Sequence, residues 1–170
     1  MKKILSIFFL IMLSISVAQA ATNETDTDDG KGASGLPVPR FASLRSNEVN
    51  MRTGPGTRYP IEWVLTRQGL PVEIIAEFEV WRRVREPDGA EGWIHKSALS
   101  GKRMAIVMGT PRDLHGGVDP QSPVVAHLEV GALGQVLSCA KDWCRLKFEG
   151  VKGWLPKTAF WGAEAEEIFD

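Results

Sequence analysis

From residue 40 onward, apolar and polar positions alternate in short runs, and no run keeps the 3.6-residue period of an amphipathic helix. The clearest run extends from Cys144 to Phe148, where every second residue is apolar and the residues between are basic. Such alternation is typical of a β-strand with one buried face. Strands are predicted in this way at residues 72–74, Trp81–Arg85, 136–137 and Trp143–Phe148. Glycine-containing segments at residues 87–89 and 149–150 predict hairpin turns, so the pattern indicates an all-β fold.

The strand pattern occurs twice, at a spacing of 61 to 63 residues. Residues 40–44 match 103–107 at an offset of 63, Trp81 matches Trp143 at 62, and residues 92–93 match 153–154 at 61. The small changes in offset fall in loops rich in glycine or proline, where insertions are tolerated. A sheet of about 60 residues buries one face by curling into a small barrel. We therefore expect two tandem β-barrels, a first unit at residues 40–102 and a second unit at residues 103–162.

The first 20 residues have the pattern of a secretory signal peptide. Two lysines precede an apolar run over residues 4–17, which ends before the small residues Ala18 and Ala20. This run of 14 residues is shorter than the roughly 20 that a membrane-spanning helix needs, so a retained anchor is the weaker interpretation. We expect cleavage after Ala20, export to the periplasm or beyond the cell, and no membrane span in the mature chain. Residues 21–39 predict a flexible acidic leader, and residues 163–170 form an acidic tail.

One pair of aligned positions differs between the two units. Arg82 falls on the inward face of its predicted strand and aligns with Cys144, and Glu77 across the turn aligns with Cys139. Opposed residues of an antiparallel hairpin have Cβ atoms about 4.5–5.5 Å apart, which is close to disulfide reach. We therefore predict a Glu77–Arg82 contact and, in an exported protein, a Cys139–Cys144 disulfide. A reduced buried cysteine pair is the alternative, and the four-residue spacing disfavours a redox role.

Composition and charge narrow the classes of function. The chain has 44% hydrophobic and 24% charged residues and a net charge of −1, values typical of a globular protein. Residues 40–162 carry +4 between acidic ends, which is too little to predict a nucleic-acid-binding surface. The cysteines and the histidines His95, His115 and His127 show no metal-ligand spacing, and no histidine has a recognisable nucleophile partner. We therefore expect no metal, no cofactor and no enzymatic activity.

The first unit carries a specific combination of short motifs. Residues 49–57 read Val-Asn-Met-Arg-Thr-Gly-Pro-Gly-Thr, and they are followed by Gly69, Trp81 and the Gly-Trp-Ile of residues 92–94. In order and spacing this set resembles the bacterial SH3 domain. The resemblance implies small β-barrels that bind cell-wall material or proteins and are not catalytic on their own.

The second unit resembles the variant of this domain found in secreted tandem SH3-like proteins, through Cys139 and residues 143–146 and 153–157. It departs from the pattern in the loop, where His115 replaces the arginine and Val118 replaces the proline. The resemblance therefore implies a ligand role for this loop more weakly in the second unit than in the first.

By analogy with the aromatic groove of SH3-like domains, the first unit is predicted to carry the ligand site. The candidate groove residues are Arg52, Tyr59, Trp81 and Arg83. Arg52 is expected either to meet a ligand carboxylate or to bond its own loop, and both alternatives are open. Trp81 and Trp143, which each follow a loop tip, are expected to form half-exposed aromatic shelves.

These observations predict an exported, non-enzymatic binding module. Its expected partner is a cell-wall (peptidoglycan) peptide or an envelope protein, bound through the first unit. The alternative is a structural or assembly protein of an envelope complex, docked through its barrels and acidic tail. A cell-wall hydrolase is least favoured, because too few residues precede Arg40 for a catalytic domain.

Overall fold

The computed structural model describes residues 30–170, and almost all of their regular structure is antiparallel β-sheet. The strands form two sheets of seven, one from each copy of the repeat. The predicted signal peptide lies outside the described residues. Between residues 30 and 170, no helix has the length and apolar content needed to cross a bilayer.

The first sheet comprises β1 (Arg40–Leu44), β2 (Val49–Arg52), β3 (Ile61–Leu65), β4 (Pro71–Phe78), β5 (Trp81–Arg85), β6 (Glu91–His95) and β7 (Leu99–Ser100). Its order is β3-β2-β6-β5-β4-β1-β7, so β3 and β7 are the edges. The turn between β5 and β6 was predicted from its glycine, and Gly89 has a φ of 91° there. A short 3-10 turn at Lys96–Ala98 separates β6 from β7.

The second sheet comprises β8 (Met104–Val107), β9 (Arg112–His115), β10 (Val124–Leu128), β11 (Leu133–Cys139), β12 (Trp143–Phe148), β13 (Val151–Pro156) and β14 (Phe160–Trp161). Its order is β10-β9-β13-β12-β11-β8-β14, which is the order of the first sheet shifted by seven strands. The prediction of a duplicated, all-β architecture is therefore confirmed.

Each sheet surrounds its own apolar core. The first core is formed mainly by aliphatic side chains, among them Met51, Val84 and Ile94, which are fully buried. In the second core, Cys144, Leu146 and Phe148 point inward. The intervening basic residues of β12 are exposed, as the alternating pattern predicts.

The Glu77–Arg82 and Cys139–Cys144 pairs occupy the same register position in their hairpins, at the far ends of β4–β5 and β11–β12. Arg82 Nε lies 3.0 Å from a carboxylate oxygen of Glu77, whose side chain is fully buried. Cys139 and Cys144 form the predicted disulfide. The inward position of Arg82, which is 6% exposed, is therefore explained by a buried ion pair.

The last part of the predicted leader is folded against the first unit. The N–H and hydroxyl of Ser34 donate to the two carboxylate oxygens of Glu77, at 2.6 and 2.9 Å. Arg40 donates to the same carboxylate at 2.5 Å. A flexible leader over the whole of residues 21–39 is therefore wrong for residues 30–39, because the buried Glu77 carboxylate binds this segment.

The acidic tail folds back onto the second unit at the equivalent hairpin. Cys139 and Phe169 exchange two backbone hydrogen bonds of 2.7 and 3.0 Å. Arg103, the counterpart of Arg40, binds both carboxylate oxygens of Glu167. Lys157 donates to the Glu167 carbonyl at 2.7 Å. Residues 30–39 and the acidic tail are therefore held at equivalent hairpins of the two units. Residues 30–39 are bound by the Glu77 carboxylate, and the tail lies beside the Cys139–Cys144 disulfide.

Aromatic rings and an arginine join the two units. Phe41 of β1 meets Trp161 of β14 edge to face, with ring centroids 5.2 Å apart. The Arg103 guanidinium lies over the ring of Phe41 and over that of Phe169 in the tail, 5.8 and 5.3 Å from their centroids. Arg67 also donates to the Gly131 carbonyl at 2.6 Å. The short connection between the units is thus reinforced by direct contacts.

Glu164, at the start of the tail, is held beside other acids. One of its carboxylate oxygens is buried without a hydrogen-bond partner among the described residues. Burial raises the pKa of Glu164, and the carboxylates of Glu73 and Glu167 raise it further, while Arg103 opposes them. A pKa raised by folding means that the protonated carboxyl favours the folded state, and this contribution is lost as pH rises through the raised pKa.

We expect Glu164→Gln to raise the melting temperature at pH 7 by about 2–4 °C. The gain should shrink to nothing as pH falls below the usual glutamate range, because the wild-type carboxyl is then protonated as well. Thermal unfolding followed by circular dichroism between pH 3.5 and 8 measures this. The control is Glu166→Gln, which changes a nearby exposed glutamate in the same way. A gain that is the same at every pH would contradict the assignment.

Candidate functional site

Two adjoining hollows on the first unit form one groove. The larger hollow, about 480 Å³, lies beside the loop of residues 55–58 and the tip of the β4–β5 hairpin. The smaller, about 320 Å³, lies between β2 and the 3-10 turn. Thr57, Trp81 and His95 line both hollows, so these residues form the middle of the first-unit groove.

Trp81 and His95 form the floor of this groove. Their rings meet edge to face at 5.4 Å, and β5 and β6 pair these residues directly. Trp81 is only 8% exposed, so the prediction of a half-exposed shelf is wrong for this tryptophan. His95 Nδ1 accepts the Ser97 N–H at 3.3 Å and lies 2.7 Å from the Ser97 hydroxyl, which caps the following 3-10 turn.

Arg52 lines the smaller hollow and also ties its own loop together. Its Nη1 donates to the carbonyls of Thr57 and Tyr59, at 3.3 and 2.7 Å. Of the two roles that the sequence left open, the bond to its own loop is therefore present. Arg52 shapes the wall of the groove by holding the loop.

Tyr59 and Arg83 line neither hollow, although the sequence placed both in the groove. Tyr59 lies over Gly54, where a Cβ would come within 2.5 Å of the tyrosine ring. The Arg58 guanidinium lies over the Tyr59 ring, 5.1 Å from its centroid. Arg83 forms an ion pair of 2.9 Å with Glu91 on the neighbouring strand. Packing inside the loop and cross-strand pairing therefore occupy both side chains.

Phe78 and Arg58 are two exposed members of the groove that sequence reasoning missed. Phe78 ends β4 at the tip of the hairpin and is 51% exposed. Arg58 is an exposed cation that also lines the larger hollow, and its Nη2 donates to the Tyr59 hydroxyl at 3.2 Å. The available signal was a large apolar residue beside a loop tip, next to the Glu77–Arg82 pair.

The second unit has a cleft at the equivalent place, about 440 Å³ in volume. Trp143, His115 and Pro156 line it at the positions that Trp81, Arg52 and His95 hold in the first unit. We call it the second-unit cleft; its remaining lining residues are Pro111, Arg112, Asp113, Pro120, His127, Leu155 and Ala159. The groove position is therefore kept in both copies.

A family model described as "Bacterial SH3 domain" matches residues 45–101 and 115–162. These two matches cover more than half of the chain, and each includes most strands of one sheet. The chain belongs to the bacterial SH3 domain family. Its two SH3 units are therefore the two copies recognised from the sequence repeat.

Two solved structures to which this chain is similar come from Trichomonas vaginalis. NlpC2 is 14% identical with a TM-score of 0.35, and the match covers 74% of this chain and 48% of NlpC2. NlpC1 is 15% identical with a TM-score of 0.34, and the match covers 78% of this chain and 49% of NlpC1. The SH3 chain thus spans about half the length of these structures. A search of the curated proteins finds no match.

The two SH3 units hold their loops by the same bond with different donors. His115 Nδ1 lies 3.3 Å from the Ser122 carbonyl, which is the counterpart of the Arg52 bond to the Tyr59 carbonyl. His115 also meets Trp143 edge to face at 5.8 Å. Trp143 is only partly buried, which agrees with the predicted shelf in the second unit. The substitution of His115 for arginine therefore preserves the loop and the cleft.

Proposed function

We propose that this chain is an exported, non-catalytic module that recognises a cell-wall (peptidoglycan) peptide through the groove of its first SH3 unit. Bacterial SH3 domains commonly bind cell-wall material. The observation that carries the proposal is the continuous groove around Trp81 and His95, with exposed Phe78 and Arg58 along it. The signal-peptide pattern supports the export.

The groove combines the features that peptide recognition uses. The groove floor is fixed, because Trp81 is already held by His95, so binding a peptide over it orders few additional side chains. Phe78 and Arg58 both line the larger hollow and are exposed, so they offer an aromatic ring and a cation to a ligand. Such a site suits an extended peptide that carries both an apolar and an anionic group.

A binding role also suits the chemistry of His95. Its Nδ1 is engaged by the backbone N–H and hydroxyl of Ser97, two residues along the chain. This local bond begins the 3-10 turn that forms one wall of the smaller hollow. We therefore assign His95 to shaping the groove, and turnover assays on muropeptides at stoichiometric protein would detect any hydrolysis.

Co-sedimentation with isolated sacculi tests the proposal. We expect the double variant Phe78→Ser/Arg58→Ala to be retained about tenfold less than wild type, because exposed aromatic and arginine side chains contribute most to such interfaces. Both residues are exposed, so the fold should be unaffected. Quantitative immunoblotting of pellet and supernatant gives the bound fraction.

The control is the double variant Ile168→Ser/Lys147→Ala. It also removes one exposed apolar residue and one exposed cation, but from places that line neither groove nor cleft. Equal retention of the groove variant and wild type would reject the first-unit groove as the site. Release of both double variants would indicate unspecific adhesion instead.

An assembly module is the second candidate, favoured by the exposed edges of both sheets. Strand β3 presents Ile61, Trp63 and Val64 to solvent, and β10 presents Val124 and Val125. Edge strands with unpaired backbone groups can add a strand from a partner. Absence of sacculus retention, with cross-linking in cells to one stoichiometric protein, would favour this function over the first.

A further inference from the structure

We propose that the second-unit cleft is a separate binding site for a peptide with an apolar side chain and a free carboxylate, held by Arg112. This site goes beyond the proposed function, which concerns the first-unit groove. Its ligand class follows from three features of the cleft: a cation without an anion, walls of proline and tryptophan, and an acid already paired with a histidine.

Arg112 has no acceptor within residues 30–170. Among the described residues its side chain makes no hydrogen bond or ion pair, and its Nε is buried without a partner. A buried donor without an acceptor costs folding free energy, so such groups usually have a purpose outside the packing. Arg112 lines the cleft, and a carboxylate bound there would offer two oxygens to guanidinium donors.

The first unit shows that the fold does not require this arginine. Arg112 pairs with Leu128 across β9 and β10, and the equivalent pair in β2 and β3 is Val49 with Leu65. Val49 is 2% exposed and belongs to the core. The second unit thus places a charged side chain, open to the cleft, where the first has an apolar core residue.

The walls of the second-unit cleft are more rigid and more apolar than those of the first-unit groove. Pro111, Pro120 and Pro156 stand where the first unit has Glu48, Thr57 and His95. Trp143 forms the floor, with His115 against its edge. Three polar positions have therefore become prolines, which bind an apolar group with little loss of side-chain entropy.

Asp113 is the acidic residue that lines this cleft, and its carboxylate is in contact with His127. Its Oδ1 lies 2.6 Å from Nδ1 of His127, and both side chains are largely exposed at the rim. His115 is engaged at Nδ1 with the Ser122 carbonyl. Arg112 is therefore the cation that remains for an incoming anion, while the pair at the rim is available to peptide N–H groups.

Matched N-acetylated tetrapeptides ending in Leu-Ala, with either a free carboxylate or a C-terminal amide, test this site. We expect the acid to bind the purified chain about tenfold more tightly than the amide, because a charged hydrogen-bonded pair is lost. Binding should shift the Trp143 indole resonance in NMR spectra. Versions ending in L-alanine represent a protein C-terminus, and versions ending in D-alanine represent a cell-wall peptide. A preference for either acid over its amide supports the site.

Arg112→Gln is expected to abolish the preference for the acid, and Arg112→Val, which installs the first unit's residue, should do the same. Arg145→Gln removes an exposed cation from the outer face of β12 and is the control. The preference for the acid, read at the Trp143 resonance, should be unchanged in Phe78→Ser/Arg58→Ala, so failure here is distinguishable from failure of the first-unit groove. Equal binding of acid and amide, or an unchanged preference in Arg112→Gln, would overturn the proposal.

Discussion

Replacing Glu77 with alanine is expected to lower the free energy of unfolding by about 3–5 kcal/mol, the usual effect of removing one partner from a buried ion pair. Arg82, 6% exposed, would be left without its anion. Arg40 and the Ser34 segment would lose their acceptor as well. Urea unfolding followed by tryptophan fluorescence and circular dichroism measures the change.

The effect of Glu77→Ala should also depend on pH. Burial alone would raise the pKa of Glu77, but hydrogen bonds from Arg40 and Ser34 outweigh it and hold the pKa below the usual glutamate value. A carboxyl whose pKa is lowered by folding stabilises the protein above its unfolded pKa, and this is lost as pH falls through the folded pKa. The difference in the free energy of unfolding between wild type and Glu77→Ala should therefore become smaller at acidic pH.

Two further variants serve as a control and as a rescue for Glu77→Ala. Glu62→Ala removes an exposed glutamate from β3 and should change stability little. Glu77→Cys/Arg82→Cys places the second unit's pair at the same register and, once oxidised, should recover part of the lost stability. If Glu77→Ala unfolds at the same urea concentration as Glu62→Ala, the buried Glu77–Arg82 ion pair does not contribute measurably to the free energy of unfolding.

The Glu77–Arg82 pair illustrates what the repeat could predict. Strand register follows from which face is apolar, so aligning Arg82 with Cys144 was enough to place Glu77 opposite it. Arg40 and Ser34 were not predicted as partners of Glu77. They lie 37 and 43 residues away along the chain, and no local pattern records such a contact.

The candidate groove was predicted only in part, for a similar reason. Trp81 and Arg52 line the same hollow, as expected. Arg83 shares a strand face with Trp81, but Glu91 on the adjacent strand pairs with it. Tyr59 fills the space above Gly54 within its own loop. Alternation predicts which face a side chain occupies, whereas its partner depends on the neighbouring strand or loop.

Arg112 could have been found by the reasoning that found Arg82. Each is a charged residue at a position where the other copy holds a core residue, Val49 or Cys144. The two then differ in the structure, because Arg82 has Glu77 and Arg112 has no partner among the described residues. A charge at a core position thus indicates either an internal ion pair or a site open to a ligand.

Replacing Gly153 with alanine is expected to lower the free energy of unfolding by about 3 kcal/mol, because the added methyl has no space. A Cβ there would lie 2.5 Å from Leu114 Cγ and 2.7 Å from the His115 carbonyl oxygen. Gly92 faces Met51 and the Arg52 carbonyl in the same way. In both SH3 units, the strand that ends in Arg52 or His115 passes directly over the glycine of the Gly-Trp motif. This close approach explains why the position holds glycine.

Gly153→Ala should also weaken the second-unit cleft while leaving the first-unit groove intact. The methyl would push β9 away from β13 at the register pair His115–Trp154, and His115 lines the cleft. Hydrogen exchange should therefore report faster opening in the second unit only, with sacculus retention unchanged. Gly101→Ala, where no atom lies within 4 Å of the added Cβ, is the control. Equal stability of the two variants would show that β9 can move aside without cost, and the motif would then need another explanation.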